Sequence, residues 1–335
     1  MYTKENNKNL LILIAAFAAV YIFWGSTYLA IKFTLETLPP FLMAGTRFAF
    51  AGGVLFLIAR LSRDYETPSL KHWKTSFIVG TFLLLGGNGA VVIAQQYISS
   101  SLSALLVATE PLWIVLLSWL WLHTGRPSWK VIAGLGVGFV GVWLLITGQP
   151  VENGGGYGYG QILGTVAVIG GALSWAIGSI YGLKATTPKS SALTAGMQML
   201  SGSVSLLLVG FIRGEHTTFD PSAVSASSLF ALGYLVIFGS LIGFTAYSWL
   251  LKNAQPAMVS TYAYVNPVVA VLLGWGIAGE SMTAQMLIAA GIIVTSVVLI
   301  TANKTGKKDS DDGDRNDRSI SGTAACGTPA MSTSN

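Results

Sequence analysis

The chain has 335 residues, of which 52% are hydrophobic and 10% charged, with a mean hydropathy of +0.62. Water-soluble domains carry roughly 25% charged residues, so this composition cannot coat a globule of such length and excludes a soluble protein. The net charge of +5 has to be explained by where the basic residues lie.

Apolar runs of about 20 residues, each long enough to cross a hydrocarbon core of ~30 Å, recur along the chain. In order they cover roughly 10–31, 41–59, 75–97, 102–122, 131–148, 161–183, 191–212, 228–250, 258–278 and 284–302. The first follows Lys4 and Lys8 and could be misread as a secretion signal. It continues past any small-residue cleavage point for a full span, so it reads as an uncleaved helix. The breaks hold turn formers, as in "TLPP", "HTGRPSWK", "GQPVENGGGYGYGQ" and "KNAQPA". The expected fold is all-α and integral to the membrane, with ten transmembrane helices.

Basic residues orient these spans, because cytoplasmic loops hold an excess of lysine and arginine. With a cytoplasmic N-terminus, 16 of the 19 basic residues fall inside, from Lys4 and Lys8 through Arg60, Arg63, Lys71, Lys74, Arg126, Lys130, Lys184, Lys189 and Lys252 to five in the tail. Lys32 and Arg213 fall outside, and Arg47 lies within a span. Both termini are therefore expected in the cytoplasm, and the positive charge does not imply nucleic acid. The single cysteine, Cys326, leaves no internal disulfide or thiolate cluster, and His72, His123 and His216 are expected in loops. No metal or other cofactor is expected. Residues 303–335 are polar, mixed in charge and without apolar periodicity, and read as a disordered cytoplasmic tail.

An internal repeat divides the spans. "PLWIVLLSW", starting at Pro111, matches "PVVAVLLGW", starting at Pro267, with proline, Val-Leu-Leu and tryptophan in register. The same alignment sets Glu110 against Asn266, while Trp24 in "IFWGSTY" answers Trp175 in "LSWAIGS". Spans 1–5 (10–148) thus correspond to spans 6–10 (161–302). Five is odd, so the second copy enters the membrane from the opposite side, as in the inverted repeats of secondary transporters.

With "WGSTY" in helix 1, "RFAFAG" in helix 2, "EPLW" in helix 4 and the duplicated five-helix unit, the chain resembles the drug/metabolite transporter superfamily. Its EamA-type ten-helix permeases are the most similar branch, and the resemblance covers residues 10–302. It implies a bacterial inner-membrane exporter of small metabolites, often amino acids or amphiphilic compounds, working without ATP. The loop "HTGRPSW" departs from the family, which often carries an acidic residue there, as the second half does at Glu280.

Depth follows from 1.5 Å of rise per residue: Glu110 lies about 12 Å from the outer surface, Arg47 about 9 Å, Trp24 about 10 Å and Asn88 about 14 Å. A charge at such depth costs at least ~2.5–3.5 kcal/mol, so both charged residues should face the bundle interior as near neighbours, directly or through a substrate. The sequence leaves three roles open: an architectural ion pair, charges matched to a zwitterionic substrate, or a coupling proton on Glu110. Tyr262 and Asn266 are four apart, as are Trp24 and Tyr28, and such faces serve packing as readily as ligand contact. Trp175 joins this set through the repeat.

Pro111 cannot donate to Val107, nor Pro267 to Ala263, so each should bend its helix as a hinge. The carbonyls so released persist in a bilayer only beside protein, water or ligand. Glu110–Pro111 is thus expected at a bent, interior-facing segment beside a polar cavity, with Asn266–Pro267 as its counterpart. The glycine face Gly134, Gly138 and Gly141 points to close helix packing within one chain and a functional monomer. The expected partners are the lipid bilayer and a small-molecule substrate, with no nucleic acid and no ATPase domain in the chain. A proton gradient is the expected energy source. The competing reading is a membrane-embedded enzyme or a channel-like protein using Glu110, but no nucleophile–base pair or phosphate loop accompanies that carboxylate.

Overall fold

A computed structural model describes residues 2–63, 65–122, 129–147, 158–254, 256–279, 282–296 and 299. The main helices are α1 (Leu10–Thr34), α2 (Pro40–Leu61), α3 (Leu70–Ala94), α4 (Ser100–Trp121), α5 (Trp129–Thr147), α6 (Tyr159–Lys184), α7 (Ser191–Ile212), α8 (Ala226–Asn253), α9 (Tyr262–Ala278) and α10 (Ala284–Ser296). By length and composition, seven of them, α1–α4 and α6–α8, can cross a membrane. The apolar parts of α9 and α10 are shorter. The expected tail, Cys326, His123, Glu280 and the end of the tenth apolar run lie outside the described residues.

Helices α2 and α7 pack along their length and cross antiparallel through glycines. A Cβ at Gly52 would meet the Leu200 backbone nitrogen at 2.9 Å and the Gly196 carbonyl at 3.0 Å. One at Gly196 would meet the Phe56 nitrogen at 2.9 Å, and one at Gly45 the Leu207 nitrogen at 3.1 Å. Only backbones bare on the facing side approach this closely.

The N-terminus of α2 shows how the two helices are tied. Pro40 opens the helix, where its missing N–H costs nothing, but the next amides still need acceptors. Buried Glu215, just beyond α7, supplies them: its Oε2 accepts from the amides of Phe41 and Leu42, both at 2.9 Å. At the opposite end, Glu66, beyond α2, accepts from the Lys189 amide at 3.1 Å just before α7. Each helix thus has an amide at or near its start held by a glutamate that follows the other.

One sequence expectation needs correction here. His72 is not in a loop: it sits in the first turn of α3, where it completes a reciprocal cap with Ser69 and is buried. The two prolines sit in different local structure. Helix α4 is interrupted, with one piece ending at Val107 and the next starting at Glu110. The break is closed by tight turns from Thr109 to Leu106 and from Leu112 to Thr109. Pro267, by contrast, lies inside a continuous helix. The glycine face of α5 packs within the chain, since Cβ atoms at Gly138 and Gly141 would each lie 2.8 Å from Ser296 and Ile293 of α10.

Three stretches depart from α geometry. Val20–Trp24 in α1, Thr81–Gly89 in α3 and Leu235–Ile242 in α8 are π-helical. Wider turns of this kind redirect side chains and recur at functional sites. All three contribute to the wall of one cavity.

Candidate functional site

The cavity, of about 80 Å³, lies among α1, α2, α3, α4, α6, α8 and α9. Trp24, Tyr28, Arg47, Asn88, Glu110, Trp175, Tyr262 and Asn266 all line it, so the structure gathers in one place every candidate substrate or coupling residue named from sequence. Phe48, Gly239 and Phe244 complete much of the remaining wall.

Its two charged residues are nearly inaccessible, Glu110 at 1% exposure and Arg47 at 3%. The break in α4 makes Glu110 the first residue of a new helical piece and turns its carboxylate toward α9. There the Tyr262 hydroxyl donates to Glu110 Oε2 at 2.6 Å. Glu110 Oε1 has no hydrogen-bond partner among the described residues. Arg47 turns instead toward α8: its Nε donates to Ser240 Oγ at 2.8 Å, and its guanidinium carbon lies 4.6 Å from the Phe48 ring centre. Arg47 Nη1 has no partner among the described residues, and neither does Asn88 Oδ1. The direct Arg47–Glu110 contact considered from sequence is absent, because each charge is anchored to a different helix of the second half. One buried donor and two buried acceptors are therefore unpartnered on residues that line one cavity, and such groups carry a desolvation cost until something meets them.

Aromatic rings form the rest of the site. Trp24 meets Trp175 edge to face, at 5.5 Å between centres and 90° between planes. It meets Tyr262 at 5.0 Å and 86°. Tyr247 packs against both tryptophans, 5.0 Å from Trp24 and 5.6 Å from Trp175. The Trp24 indole donates to the Gly239 carbonyl at 3.0 Å, and the Trp175 indole to the Tyr247 hydroxyl at 3.1 Å. That hydroxyl is also 2.7 Å from Ser179 Oγ. Asn266 is buried, and with its amide nitrogen turned inward it donates to the carbonyls of Tyr262 at 3.1 Å and Tyr21 at 3.0 Å.

Sequence reasoning missed Tyr247, Ser240, Gly239 and Ser179. The signal was available in the eighth apolar run, where "FGS" and "TAYS" interrupt an otherwise hydrophobic stretch, and for Ser179 in the sixth, where "AIGS" does the same. Small and polar residues at such depth mark a helix that faces protein or water.

Against this geometry the comparisons with known proteins are consistent. The sequence pattern of the EamA-like transporter family matches residues 10–147 and 162–302. The chain belongs to this transporter family. The uncharacterized inner membrane transporter YedA of Escherichia coli (strain K12) is 40% identical over 299 residues, which are 89% of this chain and 93% of that protein. The uncharacterized transporter YvbV of Bacillus subtilis (strain 168) is 27% identical over 305 residues, 91% and 96% of the two chains. An S-adenosylmethionine/S-adenosylhomocysteine transporter of Chlamydia trachomatis serovar L2 is 27% identical over 286 residues, 83% and 85% of the two. A solved crystal structure superposes with a TM-score of 0.62 at 22% identity, covering 87% of this chain and 96% of its own, and shares the fold.

Proposed function

We propose that this protein is an inner-membrane secondary transporter that exports a small zwitterionic or amphiphilic metabolite by alternating access. The observation that carries this reading is the pairing of open, buried polar atoms across one cavity. Arg47 Nη1 suits an anionic group, Glu110 Oε1 suits a cationic one, and both are buried where an unmatched charge is costly. The tryptophan and tyrosine walls suit an apolar or aromatic portion and can also hold a cation over a ring face. S-adenosylmethionine, handled by one relative according to its name, combines a carboxylate, two cationic centres and an aromatic base, and belongs among the compounds to test.

Two five-helix halves of opposite orientation, 10–148 and 161–302, supply the moving parts. Support comes from the α2–α7 crossing: one shift of 151 residues carries Gly45 to Gly196 and Phe56 to Leu207, so the Gly45–Leu207 contact becomes the Gly196–Phe56 contact. The glutamate ties from Glu215 and Glu66 follow the same pattern. Both termini lie in the cytoplasm on the distribution of basic residues. The break before Glu110–Pro111 serves as the hinge in the first half and Pro267 as its counterpart.

Glu110 also carries the coupling proton in this proposal. Oε1 accepts either a proton or the cationic group of the substrate, and exchange between them links export to the proton gradient. Counterflow of labelled amino acids and S-adenosylmethionine into proteoliposomes, with and without a pH gradient, tests both parts. Accumulation of none of these zwitterions would oppose the proposed substrate class. Net uptake that ignores the pH gradient would oppose proton coupling alone.

A further inference from the structure

The Arg47 guanidinium is held along one edge. Its Nε donates to Ser240 Oγ at 2.8 Å, and its Nη2 lies where a side chain at Gly239 would have to be, 2.7 Å from an added Cβ. Nε and Nη2 form one side of the planar group, so that whole side rests on two consecutive residues of the π-helical turn Leu235–Ile242. The remaining corner, Nη1, is the buried atom without a partner among the described residues. The same turn seats a second wall residue, because the Gly239 carbonyl accepts from the Trp24 indole. A Cβ at Gly239 would also lie 2.8 Å from Thr27 Cγ2, so the turn fits closely against α1. Ser240 itself is fully buried.

We propose that Gly239 and Ser240 are positioning residues that fix the Arg47 guanidinium with Nη1 toward the cavity, and thereby set preference for substrates bearing a carboxylate. This rests on the reading of the cavity as the substrate site. Arginine otherwise has several rotatable bonds and a broad choice of orientation, and a guanidinium recognises a carboxylate only when its N–H groups are aimed. Serine supplies an acceptor that fixes Nε without neutralising the charge, which a carboxylate at that place would do. Glycine leaves room for the Nη2 edge of the planar group against the turn.

The test uses compounds that differ only in the carboxylate: phenylalanine with phenylethylamine, and leucine with isoamylamine. Counterflow KM is measured in proteoliposomes for the wild type, Ser240→Ala, Ser240→Thr and Gly239→Ala. The wild type is expected to prefer each amino acid over its amine by about tenfold or more, the effect of one well-made charged hydrogen bond. Ser240→Ala and Gly239→Ala are expected to bring that ratio to within about threefold, chiefly by raising KM for the amino acids, while Ser240→Thr keeps it. A structural role alone would lower Vmax for both members of each pair and leave the ratio unchanged. An unchanged ratio in Ser240→Ala beside a discriminating wild type would overturn this proposal and leave the substrate-site reading standing. A wild type that carries the amines as well as the amino acids, or carries none of the four, would overturn that reading and this proposal with it.

Discussion

Tyr262 and Glu110, separated by 152 positions in the chain, meet in a 2.6 Å hydrogen bond that joins α9 to the second piece of α4. Tyr262 is 3% exposed and Glu110 1%. The bond fixes one carboxylate oxygen and leaves the other without a partner among the described residues. It also ties together two segments that each carry a proline, Pro111 and Pro267.

Removing this hydroxyl should weaken the protein measurably. Tyr262→Phe leaves both oxygens of Glu110 without a partner, and a buried acceptor so orphaned costs about 1–3 kcal/mol. Thermal unfolding in detergent should fall for Tyr262→Phe in the Glu110 background and fall much less when Glu110 is already alanine, which has no acceptor. Equal losses in both backgrounds would show that the bond adds no stability.

Arg47 and Glu110 should act independently on stability. They share no contact, and effects of residues without shared partners add within about 0.3–0.5 kcal/mol. Arg47→Ala and Glu110→Ala should therefore show additive shifts in unaided thermal stability. A double variant that recovers stability would indicate a direct pair in a conformation other than this one.

The glutamate ties should be unequal. Glu215 is buried and holds two amides, so Glu215→Ala removes charge-assisted bonds worth about 1.5–3 kcal/mol each at most. Glu66 meets the Lys189 amide in a more exposed setting, and Glu66→Ala should cost well under half as much. Detergent melting curves distinguish the two, and similar losses would contradict the assignment of Glu215 as the main clamp.

Close crossing of α2 and α7 makes Gly52 intolerant. A methyl group there would lie 2.9 Å from the Leu200 nitrogen and 3.0 Å from the Gly196 carbonyl, backbone atoms that cannot swing aside. Gly52→Ala should lower stability by about 1–3 kcal/mol, the usual range for overpacking. Gly53→Ala, which would meet nothing within 4 Å, should change it little. The order of these two variants in a thermal scan checks the crossing.

Much of the site was legible because the membrane makes charge expensive. Glu110 and Arg47 stand out in apolar runs, and helical rise places Trp24 and Asn88 at their depth without any knowledge of packing. The repeat then pointed to Trp175 and Asn266, and Tyr262 followed from its place one helical turn before Asn266. What composition and spacing could not convey was the local winding. A π-helical turn redirects every following side chain, so Ser240 and Gly239 could not be aimed at Arg47 by counting α-helical residues. The break at Ala108–Thr109 likewise turned Glu110 toward Tyr262 and away from Arg47. His72 was misplaced because its cap uses a short-range side-chain bond that hydropathy does not register.

Whether one cavity holds the substrate between Arg47 and Glu110 is decided by counterflow of a labelled zwitterion through wild type, Arg47→Ala and Glu110→Gln in proteoliposomes of equal protein content. Uptake by the wild type is expected, with at least a tenfold loss in each variant, about 1.4 kcal/mol or more in the transport barrier. The loss in the double variant should be no greater than the larger single loss, because a substrate bridging two charges needs both. Wild-type rates retained in both single variants, with the proteins folded, would contradict that placement of the substrate.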